Sequence, residues 1–335
     1  MSSLEHELDA VAAESAFSGV VRVDRGDEIV VEKAYGLAQR GHEIPNATDT
    51  RFAIASGVKG MTALAVVSLV EDGILELTTT ARSVLGEDLP LIDDRVTVEQ
   101  LLAHRSGIGD YFDEDAGGEI TDYVLPVPVH RLAETEEYVA VLDGHPTKFA
   151  PDERFSYCNG GFVVLALIAE RASSVLFRDL VAQRVCAPAG MGDTAFLRSD
   201  ELPGRTALGY LAGDGLRTNV LHLPVRGSGD GGIYTTAADV RRLWSALVAG
   251  RIVSPEWVRE MTRPRSHSPD GERRYGLGFW LHGSTDTVLL EGYDAGVSFR
   301  SLHDPRADVT ATVISNWSDG AWPIARLLDE RYGGA

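Results

Sequence analysis

Cysteine and lysine are both scarce. The 335 residues hold two cysteines, Cys158 and Cys186, in no CxxC pair, which excludes a disulfide framework and a thiolate zinc site. Only Lys33, Lys59 and Lys148 are lysines, while the other 28 basic residues are arginine. A formal net charge of -19, with no basic patch, argues against nucleic-acid or anionic-membrane partners. No apolar run reaches 18 residues, so no membrane helix is expected. The N-terminal MSSLEHELDAVAAESAF lacks a positive region followed by an apolar one. The chain therefore reads as soluble and cytoplasmic.

Familiar catalytic signatures are missing too. There is no G-x-S-x-G elbow, no HExxH and no phosphate-binding loop. The nine histidines show no metal-ligand spacing, so neither a metal nor another cofactor is expected. Gly227–Gly232 matches GxGxxG, but without a βαβ context it reads as a glycine-rich turn.

What is present is a strand–helix–strand order. GVVRV and EIVVEKAYG flank a turn-rich Asp24–Asp27 and predict a hairpin after a short helix over residues 4–16. Helical apolar periodicity covers 61–71, 97–104, 132–142, 160–171 and 237–249. Thr236 and Asp239 have capping-box spacing. Strand-like runs then return in YGLGFWLHG, TVLLEG, VSFRSLHDP and TATVISN, before the closing helix AWPIARLLDERY. One sheet built from both termini and carrying an inserted helical region accounts for this order.

Two short segments carry chemistry. Ser56 and Lys59 stand three residues apart at the head of an apolar helix. There the lysine amine reaches the hydroxyl, and the open N–H groups favour an alkoxide. Desolvation would lower the lysine pKa and make it a proton acceptor. The segment alone fits equally well a serine cap followed by a surface lysine. Tyr157 and Asn159 precede a second apolar helix and could face one cleft. A cation beside Tyr157 would favour its phenolate, and the Asn159 amide could hold a substrate amide. Read alone, this pair also fits a packed tyrosine and a capping asparagine.

The order of segments resembles the serine β-lactamase, DD-peptidase and esterase superfamily, on its class C-like side. RFAIASGVKGMTALAVVSLVEDGIL is similar to the nucleophile segment, RVTVEQLLAHRSGIGDY to LLxHxSGL, and FAPDERFSYCNGGF to F-x-PGE-x-F-x-Y-S-N-x-G. CAPAGMGDTAF and GDGGIYTTAADVRRL resemble two further segments. The resemblance implies an α+β fold of the β-lactamase/transpeptidase-like type, an antiparallel sheet flanked by helices with an inserted mostly helical domain. It divides the chain into 1–52 plus 235–335 for the sheet domain and 53–234 for the helical one, with the site between them. It also implies Ser56 as acylated nucleophile, Lys59 as its activating partner, Tyr157 as proton shuttle on the leaving-group side, and Asn159 as a substrate contact. Cys158 reads as a neutral spacer.

One segment departs from the family. Counting back from Phe299, the Lys-Thr-Gly or His-x-Gly triplet falls on Gly292-Tyr293-Asp294, without its cation. Gly292 and Asp294 are then expected to contact substrate, and the backbone N–H groups of Ser56 and Ala295 to form the oxyanion hole. Glu291 and Asp294 would repel a substrate carboxylate. The expected function is a serine hydrolase forming a Ser56 acyl-enzyme with small esters or amides and turning over β-lactams or D-Ala peptides weakly. A small-molecule acyl substrate is the expected partner, and the oligomeric state is open. An acyltransferase using the same intermediate, a β-lactamase or D-Ala-type peptidase, and a catalytically silent binding module are the alternatives.

Overall fold

A computed structural model describes residues 3–333. Both ends of the chain build one eight-stranded antiparallel sheet. The hairpin strands are β1 (Gly19–Arg25) and β2 (Glu28–Tyr35). The later strands are β3 (Ser266–His267), β4 (Arg273–Tyr275), β5 (Trp280–His282), β6 (Val288–Asp294), β7 (Val297–Asp304) and β8 (Val309–Ser315). Their order is β2-β1-β8-β7-β6-β5-β4-β3. β1 therefore pairs with β8, joining the two ends of the chain in register from Gly19↔Ser315 to Arg25↔Val309.

Helices cover both faces, so the central strands are apolar on each side. α1 (Ser3–Glu14) and the C-terminal helix (Trp322–Tyr332) pack Leu8, Ile324 and Leu328 against Val21, Leu302 and Val313. The opposite face carries the larger core, formed by α2 (Lys59–Glu71), α3 (Asn159–Ser173) and α4 (Ala237–Val248). A polar seam runs through that face: Trp244 Nε1–H donates to Ser301 Oγ at 2.8 Å, and Ser301 pairs with Thr312 at 2.7 Å. Trp244, Ser301 and Thr312 thus each have a partner, which offsets the desolvation cost of burying them. Among the described residues no single helix is long and apolar enough to cross a membrane.

The start of α4 follows the residue expected to set it, with one difference. Thr236 caps α4 by accepting from Asp239 N–H at 3.1 Å. The Asp239 carboxylate does not reach back; it takes Asp193 N–H and Thr194 O–H, both at 2.8 Å, and so pins the preceding turn to this helix. Residues 177–189 form helical turns interrupted by a π-bulge, which no regular apolar period announced.

Candidate active site

Ser56 lies in a 3₁₀ turn, Ala55–Val58, that runs directly into α2. Ala55 holds a positive φ of 43°, an uncommon conformation for a residue with a side chain, in the tight turn that presents Ser56. No side chain caps this start, and among the described residues Ser56 N–H has no backbone acceptor.

Lys59 is 2% exposed and makes three contacts. Its Nζ lies 2.8 Å from Ser56 Oγ, 2.8 Å from Asn159 Oδ1 and 2.9 Å from the Asp230 carbonyl oxygen. Two of these partners can only accept. The third is a hydroxyl, which can donate to an amine lone pair. Burial pushes the Lys59 ammonium below its ordinary range, against the opposing pull of Asp230, Glu114, Asp110 and Asp294. Both acceptors are fixed from behind. Asn159 Nδ2–H donates to Phe112 O at 3.1 Å and Glu114 Oε1 at 3.0 Å, which sets the amide orientation. The glycine-rich turn bearing Asp230 is held by Thr62 Oγ1–H, which donates to Gly229 O at 2.6 Å. A Cβ on Gly229 would lie 2.1 Å from Phe162 O, so only glycine lets this turn sit on α3.

Lys59 Nζ sits 4.9 Å from the Tyr157 ring centroid. The phenolate expectation is overturned here. Burial raises the Tyr157 hydroxyl well above its ordinary range, with Glu114 adding to it, so the group is a neutral phenol near pH 7. Trp280 stacks on it at 5.9 Å, and the His104 ring lies 4.3 Å away. His104 Nδ1 accepts Cys158 N–H at 3.1 Å and anchors the segment. Cys158 is buried and its sulfur accepts Gly161 N–H at 3.3 Å; it caps α3 where asparagine had been the alternative.

The third segment needs correcting. β6 and β7 are joined by a two-residue turn at Ala295 and Gly296, with Asp294 opposite Val297. Gly296 has φ 74°, which glycine adopts without penalty. Ala295 is 1% exposed, and its N–H donates to Asp294 Oδ1 at 2.8 Å, so it is not free for an oxyanion. Pairs flanking a two-residue turn exchange both ladder bonds, and the next pair does not. Tyr293 N–H therefore points to the open edge of β6, as Thr287 O, six residues back on the same edge, confirms by accepting His282 N–H at 2.9 Å. The same strand packs by its Gly292 face on the Ser56 turn. A Cβ on Gly292 would lie 2.0 Å from Ile54 O and 3.0 Å from Gly57 N. Counting from this contact moves the triplet two residues back, to Leu290-Glu291-Gly292. The first place is again uncharged: Leu290 is buried against Gly60 and Phe279 in the helical core.

Asp294 and Glu291 point to opposite faces of β6, being an odd number of positions apart; along with Ser56, an open cavity is bordered by Glu291. Arg300 Nε–H donates to its carboxylate at 2.6 Å and Arg273 at 3.1 and 3.3 Å, which holds it below the ordinary carboxylate range despite burial. Asp294 lies on the Gly292 face. Burial lifts its carboxyl to about 7, with Asp230 adding to the rise and Ala295 N–H opposing it.

A carboxyl whose folded pKa exceeds its unfolded one stabilises the fold only while protonated, and that benefit fades as pH rises from about 4 towards 7. Asp294→Asn keeps an acceptor for Ala295 N–H without the charge. It is expected to raise Tm above wild type at pH 8 and to leave it nearly unchanged at pH 4, measured by thermal unfolding in matched buffers.

Ser56, Tyr157, Trp280, Gly292 and Tyr293 border an open cavity of about 760 Å³. Its outer wall is the loop after Asp110, which no sequence periodicity had marked. Asp110 accepts N–H groups from Asn159 (2.6 Å), Gly160 (2.8 Å) and Phe112 (3.3 Å), tying that loop to the start of α3. Lys148 holds Asp113 and Asp115 at 2.8 and 3.2 Å. Glu114, Glu119 and Asp122 also line the cavity, and Arg154 is the one basic residue on its described walls.

Comparison with known proteins shows the family and the fold. The Beta-lactamase family model matches residues 4–330. Esterase EstB of Burkholderia gladioli is 30% identical over 88% of this chain and 82% of its own length. The D-aminopeptidase of Brucella anthropi is 29% identical over 92% of this chain and 58% of its own. A crystal structure of a penicillin-binding protein from Bacillus halodurans superposes with TM-score 0.91 at 34% identity, covering 97% of this chain and all of that one. The chain spans 63% and 66% of the length of two penicillin-binding relatives from Bacillus subtilis.

Proposed function

The chain belongs to the Beta-lactamase family, and from that premise we propose that it is a serine hydrolase that forms an acyl-enzyme on Ser56 with small esters or amides. The observation that carries the reading is the contact set of Lys59 Nζ. A neutral amine has two N–H donors and one lone pair; Asn159 Oδ1 and the Asp230 carbonyl take the donors, which leaves the lone pair for Ser56 O–H. Lys59 accepts the Ser56 proton as Oγ bonds the acyl carbon. The oxyanion lies between the N–H groups of Ser56 and Tyr293. Tyr157, as a phenol, gives its proton to the leaving oxygen or nitrogen as that bond breaks, and is reprotonated from Lys59. Water then adds to the acyl carbon along the reverse relay, releasing the acid and restoring Ser56.

Substrate charge follows from the walls. No lysine or histidine occupies the first place of the third segment, and Glu114, Glu119 and Asp122 line the cavity. A carboxylate-bearing β-lactam or peptide meets a like-charged surface, whereas a neutral or amine-bearing leaving group does not. The esterase and D-aminopeptidase relatives support this preference. The test compares p-nitrophenyl acetate with a chromogenic cephalosporin under identical conditions. The expected kcat/KM ratio is at least about 100 in favour of the ester, which corresponds to ~2.7 kcal/mol of transition-state preference. Rapid cephalosporin turnover matching or exceeding the ester would overturn the preference.

A further inference from the structure

A second cavity, of about 430 Å³, lies between the sheet and two helices, α4 and α5 (Pro255–Met261), and shares no lining residue with the cavity at Ser56. Its volume falls in the range of small-molecule sites. The floor is one cross-strand row. Arg274 on β4 stands opposite Leu281 on β5, Leu281 opposite Val288 on β6, and Val288 opposite His303 on β7. Directly paired residues share a face and strands lie ~4.8 Å apart, so the row runs about 14 Å from Arg274 to His303. Its middle is apolar and both ends are polar. Trp244 and Leu247 of α4, with Val258 and Arg259 of α5, form the opposite wall.

Each polar end has unused capacity. The His303 ring is 4% exposed and stacks on Trp244 at 5.9 Å. Burial lowers its pKa, so the ring is neutral near pH 7. Its Nδ1 lies 3.1 Å from Thr310 Oγ1, which has no other side-chain partner among the described residues. The hydroxyl therefore donates to Nδ1, and the ring proton sits on Nε2. Nε2 has no hydrogen-bond partner among the described residues and is not sealed in the core, so its N–H opens on the cavity. At the other end, Arg274 donates to His282 O at 2.9 Å and Thr285 O at 2.6 Å, and meets no carboxylate among the described residues. The Arg259 guanidinium has no hydrogen-bond or ion-pair partner among them. Asp286, the one acid on the described walls, is paired with Arg306 at 2.8 Å. In a chain of net charge -19, this leaves two uncompensated cations beside an apolar floor.

We propose that this cavity binds an elongated organic acid of about eight to ten carbons, its carboxylate held by Arg259 and Arg274 and an oxygen at its far end accepting from His303 Nε2–H. The carboxylate gains charge-assisted hydrogen bonds, and the apolar body covers Leu281 and Val288. A plain alkyl tail would leave the imidazole N–H unpaired. Binding there needs nothing from Ser56.

Isothermal titration of the wild-type protein with 8-hydroxyoctanoate, octanoate and octan-1-ol is the test. 8-Hydroxyoctanoate is expected to bind with a Kd at or below about 1 mM. Octanoate is expected to bind at least threefold more weakly, and octanol, which lacks the anion, at least fivefold more weakly. Arg259 is exposed and unpaired, so Arg259→Gln is expected to keep the wild-type Tm while weakening 8-hydroxyoctanoate at least fivefold. A Kd above about 1 mM for the hydroxy acid, or octanol binding as tightly as the acids, overturns the proposal. So does an affinity that Arg259→Gln leaves unchanged, which places the acid elsewhere on the protein. Equal affinities for octanoate and 8-hydroxyoctanoate overturn the part assigned to His303.

Discussion

Lys59→Met is expected to lower kcat on p-nitrophenyl acetate by about 10³- to 10⁴-fold, ~4–5.5 kcal/mol of barrier. Methionine fills a similar volume in the same buried slot, so the loss is chemical before it is structural. It removes the acceptor for the Ser56 proton and leaves Asn159 Oδ1 and the Asp230 carbonyl without their donor. Orphaning two buried acceptors costs about 1–3 kcal/mol each, so a fall in Tm accompanies the kinetic loss. The pH profile separates the two effects. In wild type, activity rises with pH as Lys59 loses its proton, and burial places that limb below the ordinary lysine range. The methionine variant is expected to lose the limb, which a purely structural defect would leave in place. Residual activity within tenfold of wild type, with the limb intact, would assign the base elsewhere.

The second large effect concerns Tyr293. If its N–H completes the oxyanion hole, the side chain is dispensable and the amide is not. Tyr293→Ala is expected to keep kcat within about fivefold of wild type. Tyr293→Pro removes the amide hydrogen and is expected to cost about 10²- to 10³-fold in kcat, with a smaller change in KM. Proline is tolerable here because the N–H faces the open edge and gives up no ladder bond to β7. Measuring Tm for both variants controls for distortion of the strand. Equal losses in the two variants, or none in the proline variant, would return the donor to another residue.

The sequence made the local chemistry legible and the register of the third segment illegible. Ser56 and Lys59 meet because three residues make almost one turn of a helix, a relation that survives any tertiary arrangement. Asn159 reaches Lys59 across 100 positions, which no spacing rule predicts; the resemblance implied Asn159 only as a substrate contact. The β6–β7 segment failed differently. Counting back from Phe299 assumed a fixed length for the turn between two strands, and the tight Ala295-Gly296 turn shifted the count by two. Strand parity puts positions 291 and 294 on opposite faces of β6, since they differ by an odd number. Proximity to a cation favours the Tyr157 phenolate, but burial, which spacing does not reveal, outweighs it. The acidic loop after Asp110 has no periodicity to read, and only the fold reveals that it lines the cleft.

The central claim is that Ser56 carries the acyl group. The most direct measurement is the intact mass of wild type and Ser56→Ala after exposure to a fluorophosphonate probe, with the modified peptide mapped. A single adduct on Ser56 in wild type, absent from Ser56→Ala, is the predicted result. An unmodified wild type, or an adduct that persists in Ser56→Ala, would contradict it.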